Sequence, residues 1–247
     1  MDDGIKNAEL LNRFYRMEDP ALNDAFDKIL AKLHIQKREK GKNTFLFCGI
    51  QPSVGTTTVA INLAIATSLS GWKTLFIDAD LRKGAEHKRL IGEKNKQLGD
   101  YLAGRAEEEE LYIGTNYPNL TSISGSRTVE SPTNLFCSER LSTLISAVKK
   151  KFDFIMVDAP SPLAAADASL IGPLTDGVVL VAKWDITKTG QIQQVAKDFQ
   201  DSGSSIMGII ANQVGDASYK RINRNYSYFI KRDYIKNVKK GIRIKNG

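Results

Sequence analysis

Three short stretches carry the residue types that phosphate chemistry needs. Gly49-Ile50-Gln51-Pro52-Ser53-Val54-Gly55-Thr56-Thr57-Thr58 follows an apolar run and precedes a segment of helical period. A buried strand that turns through glycine into a helix gathers backbone N–H groups and a helix N-terminus around an anion. In that loop Ser53, Val54, Gly55, Thr56 and Thr58 are the candidate nucleotide contacts, and Thr57 offers the hydroxyl for Mg2+. Thr56 stands where such a loop normally carries the Lys that reaches the β- and γ-phosphates, and Ile50 replaces the usual first glycine. The second stretch, Leu75 to Lys83, ends an apolar run in Asp78 and Asp80. Two carboxylates at i and i+2 can serve a metal and an incoming hydroxyl, with Arg82 available for phosphate charge. The third, Phe154 to Pro160, ends its run in Asp158, an acid able to hold Mg2+ directly or through water. Each stretch alone has a plainer reading as threonine caps or a helix-capping Asp. Together, at the ends of successive strands, they point to one nucleotide site.

The elements that must position these residues alternate between apolar runs and helix-period segments, as in a parallel sheet with crossover helices. Strands are expected at Thr44–Gly49, Lys73–Asp78, Asn119–Ser124, Asp153–Asp158, Gly177–Ala182 and Ser205–Ala211. Several are apolar at successive positions, as strands buried on both faces should be. Helices are expected at Thr57–Ser70, Thr133–Lys150 and Thr187–Gln200, with a polar helical segment at Pro20–Leu33 and a Lys/Arg-rich link to Asn43. The expected fold class is α/β, a mostly parallel doubly wound sheet flanked by helices. The expected organisation is a helical segment and basic link over 1–43, a nucleotide-binding domain over 44–215 and a basic tail over 216–247.

A chain of 247 residues suits one α/β domain with a substantial core. No apolar run reaches the length of a membrane span, and the first residues lack a signal-peptide layout, so a cytoplasmic setting is expected. Cys48 and Cys137 are not arranged as a CxxC, and His34 and His87 are the only histidines, which disfavours a histidine zinc site or a Ser-His-Asp triad. The net charge of +7 is concentrated: residues 219–247 hold ten Lys or Arg against Asp233 alone, so that segment carries +9 and residues 1–218 carry −2. On a helical wheel Ile230, Tyr234, Val238 and Ile242 form one side with Ile235 and Tyr228. Arg232, Lys236, Lys239, Lys240 and Arg243 form the other, while Phe229, Lys231 and Lys245 break the pattern. A basic amphipathic helix of this kind can lie on an anionic membrane surface; a solvated basic tail remains the alternative. Nucleic acid is not favoured, because the domain offers no reading helix.

On these stretches the chain resembles the bacterial tyrosine kinases (BY-kinases) of capsule and exopolysaccharide synthesis, of the CpsD/CapB type. The resemblance spans about residues 20–215. It includes Gln51 to Thr58, Asp78-Ala79-Asp80-Leu81-Arg82-Lys83, Gly99 to Gly104, Pro132-Thr133-Asn134-Leu135, Asp153 to Pro160, Asp176 to Val181 and Gly208 to Asn212. It implies a P-loop NTPase fold like that of MinD and ParA, with ATP and Mg2+ bound by the loop at 53–58. It further implies Asp78 and Asp80 as catalytic and metal-associated acids, Asp158 as the Walker B acid, and Asn212 near the adenine. Members phosphorylate tyrosines of their own C-terminal tails and depend on the cytosolic end of a membrane polysaccharide co-polymerase. Here Tyr219, Tyr226, Tyr228 and Tyr234 are the acceptor candidates.

Three departures accompany the resemblance. Thr56 removes the loop's charge. The family's oligomerisation helix carries Glu-x-x-Arg-x-x-Arg, whereas the matching Asp24-Ala25-Phe26-Asp27-Lys28-Ile29-Leu30 has neither arginine. The tyrosine cluster is diluted among lysines. The readings are therefore a weakened ATP-dependent tyrosine kinase, a nucleotide-optional adaptor of the polysaccharide machinery, or a ParA/MinD-like membrane-associated ATPase. The last usually has a signature Lys where this chain has Gln51, and lacks the Asp-x-Asp-x-Arg element.

Overall fold

The computed structural model describes residues 20–82, 96–125, 129–215 and 217–219. Among them, seven strands form one sheet in the order β3-β4-β2-β5-β1-β6-β7. The strands are β1 (Thr44–Gly49), β2 (Thr74–Asp78), β3 (Ile113–Gly114), β4 (Leu120–Ile123), β5 (Phe154–Ala159), β6 (Gly177–Lys183) and β7 (Ile206–Asn212). Every pairing is parallel except that of β3 with β4. The expected doubly wound α/β sheet is therefore present, with a short antiparallel edge that the sequence did not announce. β3 has only two residues, too few for an alternation to register.

Period-2 alternation divides the core. Phe45 and Phe47 pack to one side of β1 with Phe76, Phe154, Met156 and helix α2 (Thr56–Leu69); Leu46 and Cys48 pack to the other with Leu75, Ile77 and Val157. Ten consecutive residues of α2, Val59–Ser68, are buried. A helix apolar all round needs cover on its outer side too. Helix α1 (Pro20–Lys40) provides it, burying Leu33 and bringing Phe26 and Ile29 onto the same cluster. At its far end His34 lies 5.3 Å from Trp72 and 5.0 Å from Phe154 between ring centroids, and Lys37 Nζ donates to the Asp153 carbonyl at 2.8 Å.

α1 runs seven residues beyond the expected Leu33. The basic residues that read as a link form its last turn, where they offset the helix dipole, and Gly41 at φ 65° ends it with its amide donating to the Lys37 carbonyl at 2.9 Å. The opposite face carries the short α3 (Leu98–Leu102), α4 (Pro132–Phe136), α5 (Glu139–Lys151), α6 (Asp167–Ile171) and α7 (Thr189–Asp201). The single helix expected over Thr133–Lys150 is thus two. Ser138 is extended between them, with Glu139 opening the next first turn. That Ser-Glu pair is a helix-start signal read through as helix interior.

The base of the sheet is tied by Asp176, just before β6. One carboxylate oxygen accepts the Asn43 and Thr44 amides, each at 3.0 Å, and the other accepts Lys149 Nζ at 2.8 Å. Burial pushes this carboxyl up, but Lys149 and the two amides outweigh it and hold Asp176 below the ordinary value. No described helix is long and apolar enough to cross a membrane.

Candidate active site

The C-terminal ends of β1, β2 and β5 meet at a cavity of about 490 Å³ lined by Gln51, Ser53, Gly55, Thr56, Thr57, Thr58, Asp78, Asp80 and Asp158, among others. The loop from β1 into α2 is shaped by its glycines. Gly55 has φ +88°, and a Cβ there would lie 2.5 Å from Asn212 Nδ2; a Cβ on Gly49 would lie 2.7 Å from Val54 Cγ2. Ser53 holds φ 64°, so the chain turns sharply just before the helix begins. Thr56, Thr57 and Thr58 then open α2 and leave its first amides facing the cavity, the arrangement that receives an anion.

The acids arrive by strand register. Asp78 of β2 and Asp158 of β5 are direct partners on adjacent parallel strands, so their side chains leave the same face about 4.8 Å apart. Thr57 Oγ1 donates to Asp158 Oδ2 at 2.6 Å. Asp158 and Asp80 are buried, exposed by only 3% and 5%. This hydroxyl and the adjacent carboxylates are hard oxygen donors and suit Mg2+, which takes one or two carboxylates and completes its shell with phosphate and water. Among the described residues no group of three or more His, Cys, Asp or Glu forms a self-sufficient metal cage. Cys48, next to this edge, is inert: burial, with help from the Asp158 charge, raises its thiol far above the usual range.

Not every sequence-predicted residue lines the cavity. Val54 is buried beneath the loop, and Asn212 Nδ2 donates to the Val54 carbonyl at 2.8 Å, so Asn212 braces the loop from β7. Arg82 does not line it either. Its Nε and Nη2 donate to the two oxygens of Asp167 at 2.7 and 2.8 Å, hydrogen bonds that raise its pKa further. The sequence reading passed over Asp167, although it is the one charged residue between Ser161 and Thr175. Among the described residues the lining contains no Lys or Arg. Lys42 precedes β1 at the opposite end of the strand, roughly 20 Å from the loop at about 3.3 Å per residue. Tyr219 follows β7, its amide donating to the Gly215 carbonyl at 2.9 Å. Tyr226, Tyr228, Tyr234, Lys83 and the amphipathic pattern of the tail lie outside the described residues.

Known proteins are similar to this chain in sequence and in fold. The AAA domain family matches residues 50–213. The tyrosine-protein kinase wzc of Salmonella typhimurium is 27% identical over 220 residues, which cover 86% of this chain and 30% of that protein. The tyrosine-protein kinase etk of Escherichia coli is 28% identical over 217 residues, 87% of this chain and 29% of that protein. The chain thus spans under a third of the length of these curated relatives. The solved kinase domain of Escherichia coli ETK superposes with a TM-score of 0.74 at 28% identity, covering 77% of this chain and 75% of that one. MinD of Pyrococcus horikoshii, solved with Mg-ADP, shares the fold at a TM-score of 0.58 and 23% identity, covering 72% and 77%. The chain belongs to the AAA domain family, in the branch formed by the bacterial tyrosine kinases.

Proposed function

We propose that this chain is an ATP- and Mg2+-binding tyrosine kinase-like regulator of capsular or exopolysaccharide synthesis, slowed by the absence of a loop lysine. The observation that carries it is the meeting of Thr57, Asp158 and Asp78 at one cavity beneath a glycine-shaped loop. The loop amides cradle the phosphates, and Thr57, Asp158 and Asp80 hold Mg2+, which when bound supplies the positive charge that phosphoryl transfer requires. Asp78 takes the proton of the acceptor phenol. The acceptors are Tyr219, Tyr226, Tyr228 and Tyr234, presented by the same chain or a neighbouring copy. The activating partner is the cytosolic end of a membrane polysaccharide co-polymerase, and the basic tail keeps the protein at an anionic membrane surface.

A second reading, a nucleotide-optional adaptor, is favoured by the lack of any Lys or Arg in the described lining. Calorimetric titration with ATP, with and without Mg2+, is combined with transfer of labelled phosphate by the purified chain and by Thr56→Lys. Mg2+-dependent ATP binding with slow labelling, faster in the variant, is expected. Labelling only in the variant supports the adaptor. No nucleotide binding by either protein overturns the kinase reading.

A further inference from the structure

Asp167 lies outside the cavity lining, yet it is a fully buried carboxylate in an otherwise uncharged stretch. Its α6 is a helix of only five residues, too short for dipole arguments to explain the acid. What explains it is Arg82. The guanidinium meets both Asp167 oxygens in a two-pronged fork, at 2.7 and 2.8 Å. Thr133 of α4 closes the group, accepting from Arg82 Nη2 at 3.1 Å and donating to Asp167 Oδ1 at 3.3 Å. The planar fork is specific to arginine, since a lysine ammonium cannot meet both oxygens in that geometry. A buried carboxylate also strongly resists losing its only fork partner, so the side chain of Arg82 is held firmly.

The main chain carries that constraint inward. The Arg82 amide donates to Asp80 Oδ1 at 3.1 Å, and the Asp80 amide donates to Asp78 Oδ1 at 3.0 Å. One series of hydrogen bonds thus runs from α4 and α6 to both acids at the cavity. We infer that Asp167 is a positioning residue: by gripping the Arg82 side chain it sets the turn after β2, and the turn sets the carboxylates of Asp80 and Asp78. The role of those acids toward Mg2+ rests on the function proposed above; the positioning does not.

The test uses the full chain with Asp167→Asn, which keeps the shape and removes the charge, and Arg82→Lys, which keeps the charge and removes the fork. Amide hydrogen exchange is followed by mass spectrometry, and ATP affinity is measured in EDTA and in Mg2+. Exchange across residues 79–82 should quicken by about tenfold in both variants, as for loss of one hydrogen bond, while residues 45–58 stay unchanged. The gain in ATP affinity on adding Mg2+ should fall by about 10–100-fold, as when a ligand's supporting partner is lost, with affinity in EDTA unaltered. Unchanged exchange at 79–82, or an equal rise throughout the sheet, overturns the inference. Should Asp167→Asn not fold, Arg82→Lys decides by the same readings. If the unmodified chain binds no nucleotide, the proposed function fails and the exchange data still decide the positioning role.

Discussion

A threonine at position 56 donates one neutral hydrogen bond and brings no charge, in a loop that keeps Gly55, its helix start and its Thr57–Asp158 bond. Losing one preorganised donor in a phosphoryl or oxyanion site costs about 3–4 kcal/mol, or about 10²–10³ in rate, and a full charge should count for no less. Thr56→Lys is therefore expected to raise single-turnover phosphate transfer by about 10²–10³, read by labelling of the tail tyrosines. The same substitution should alter the fold little, because position 56 faces the cavity. Thermal unfolding within a few degrees of the unmodified chain would confirm that the gain is chemical. At this scale the loop and the acids were legible as contiguous motifs, whereas Val54, Arg82 and Asn212 lie outside the cavity lining for reasons no motif carries. Asp167 escaped because its partner is 85 residues away.

At the scale of elements, the loop's shape depends on Gly55, which turns left-handed against Asn212. Gly55→Ala would bear the left-handed cost of about 1–2 kcal/mol and press its methyl on the Asn212 amide. A lowered melting temperature and loss of measurable ATP binding are the expected outcomes, by calorimetry. Asp176 makes the complementary case at the opposite edge. Its folded pKa is lowered from an ordinary 3.8, so its stabilisation is fully present above that value and is lost as pH falls through the folded one. Asp176→Asn should cost about 1.5–3 kcal/mol at pH 7, the range for hydrogen bonds to a charged group, and should flatten the loss of stability below about pH 4. Urea unfolding at pH 7 and pH 3 measures both. The reach of α1 to Lys40 was also present in the sequence, as a basic turn followed by Gly41, but a run of charge reads as linker until its carbonyls are seen to be capped.

For the molecule as a whole, the separation of charge matters most: +9 in residues 219–247 against −2 in residues 1–218. Each Lys or Arg near an anionic leaflet is worth about 1 kcal/mol, and salt screens the attraction. The full chain should sediment with vesicles containing phosphatidylserine, release at high salt, and ignore neutral vesicles. A chain ending at residue 218 should not sediment with either. Equal binding of both chains would remove the tail from membrane attachment.

The sequence by itself determined the parallel sheet, the loop and the two acidic strand ends. Those signals are local: apolar runs, turn residues and short motifs whose spacing survives without a partner. Only the tertiary structure decided which face each acid shares, because register between β2 and β5 is what sets Asp78 beside Asp158. It also turned Arg82 toward Asp167 and Asn212 under the loop. These are pairings between residues far apart in the chain. Their energy exists only once burial removes the water that would otherwise satisfy each partner separately.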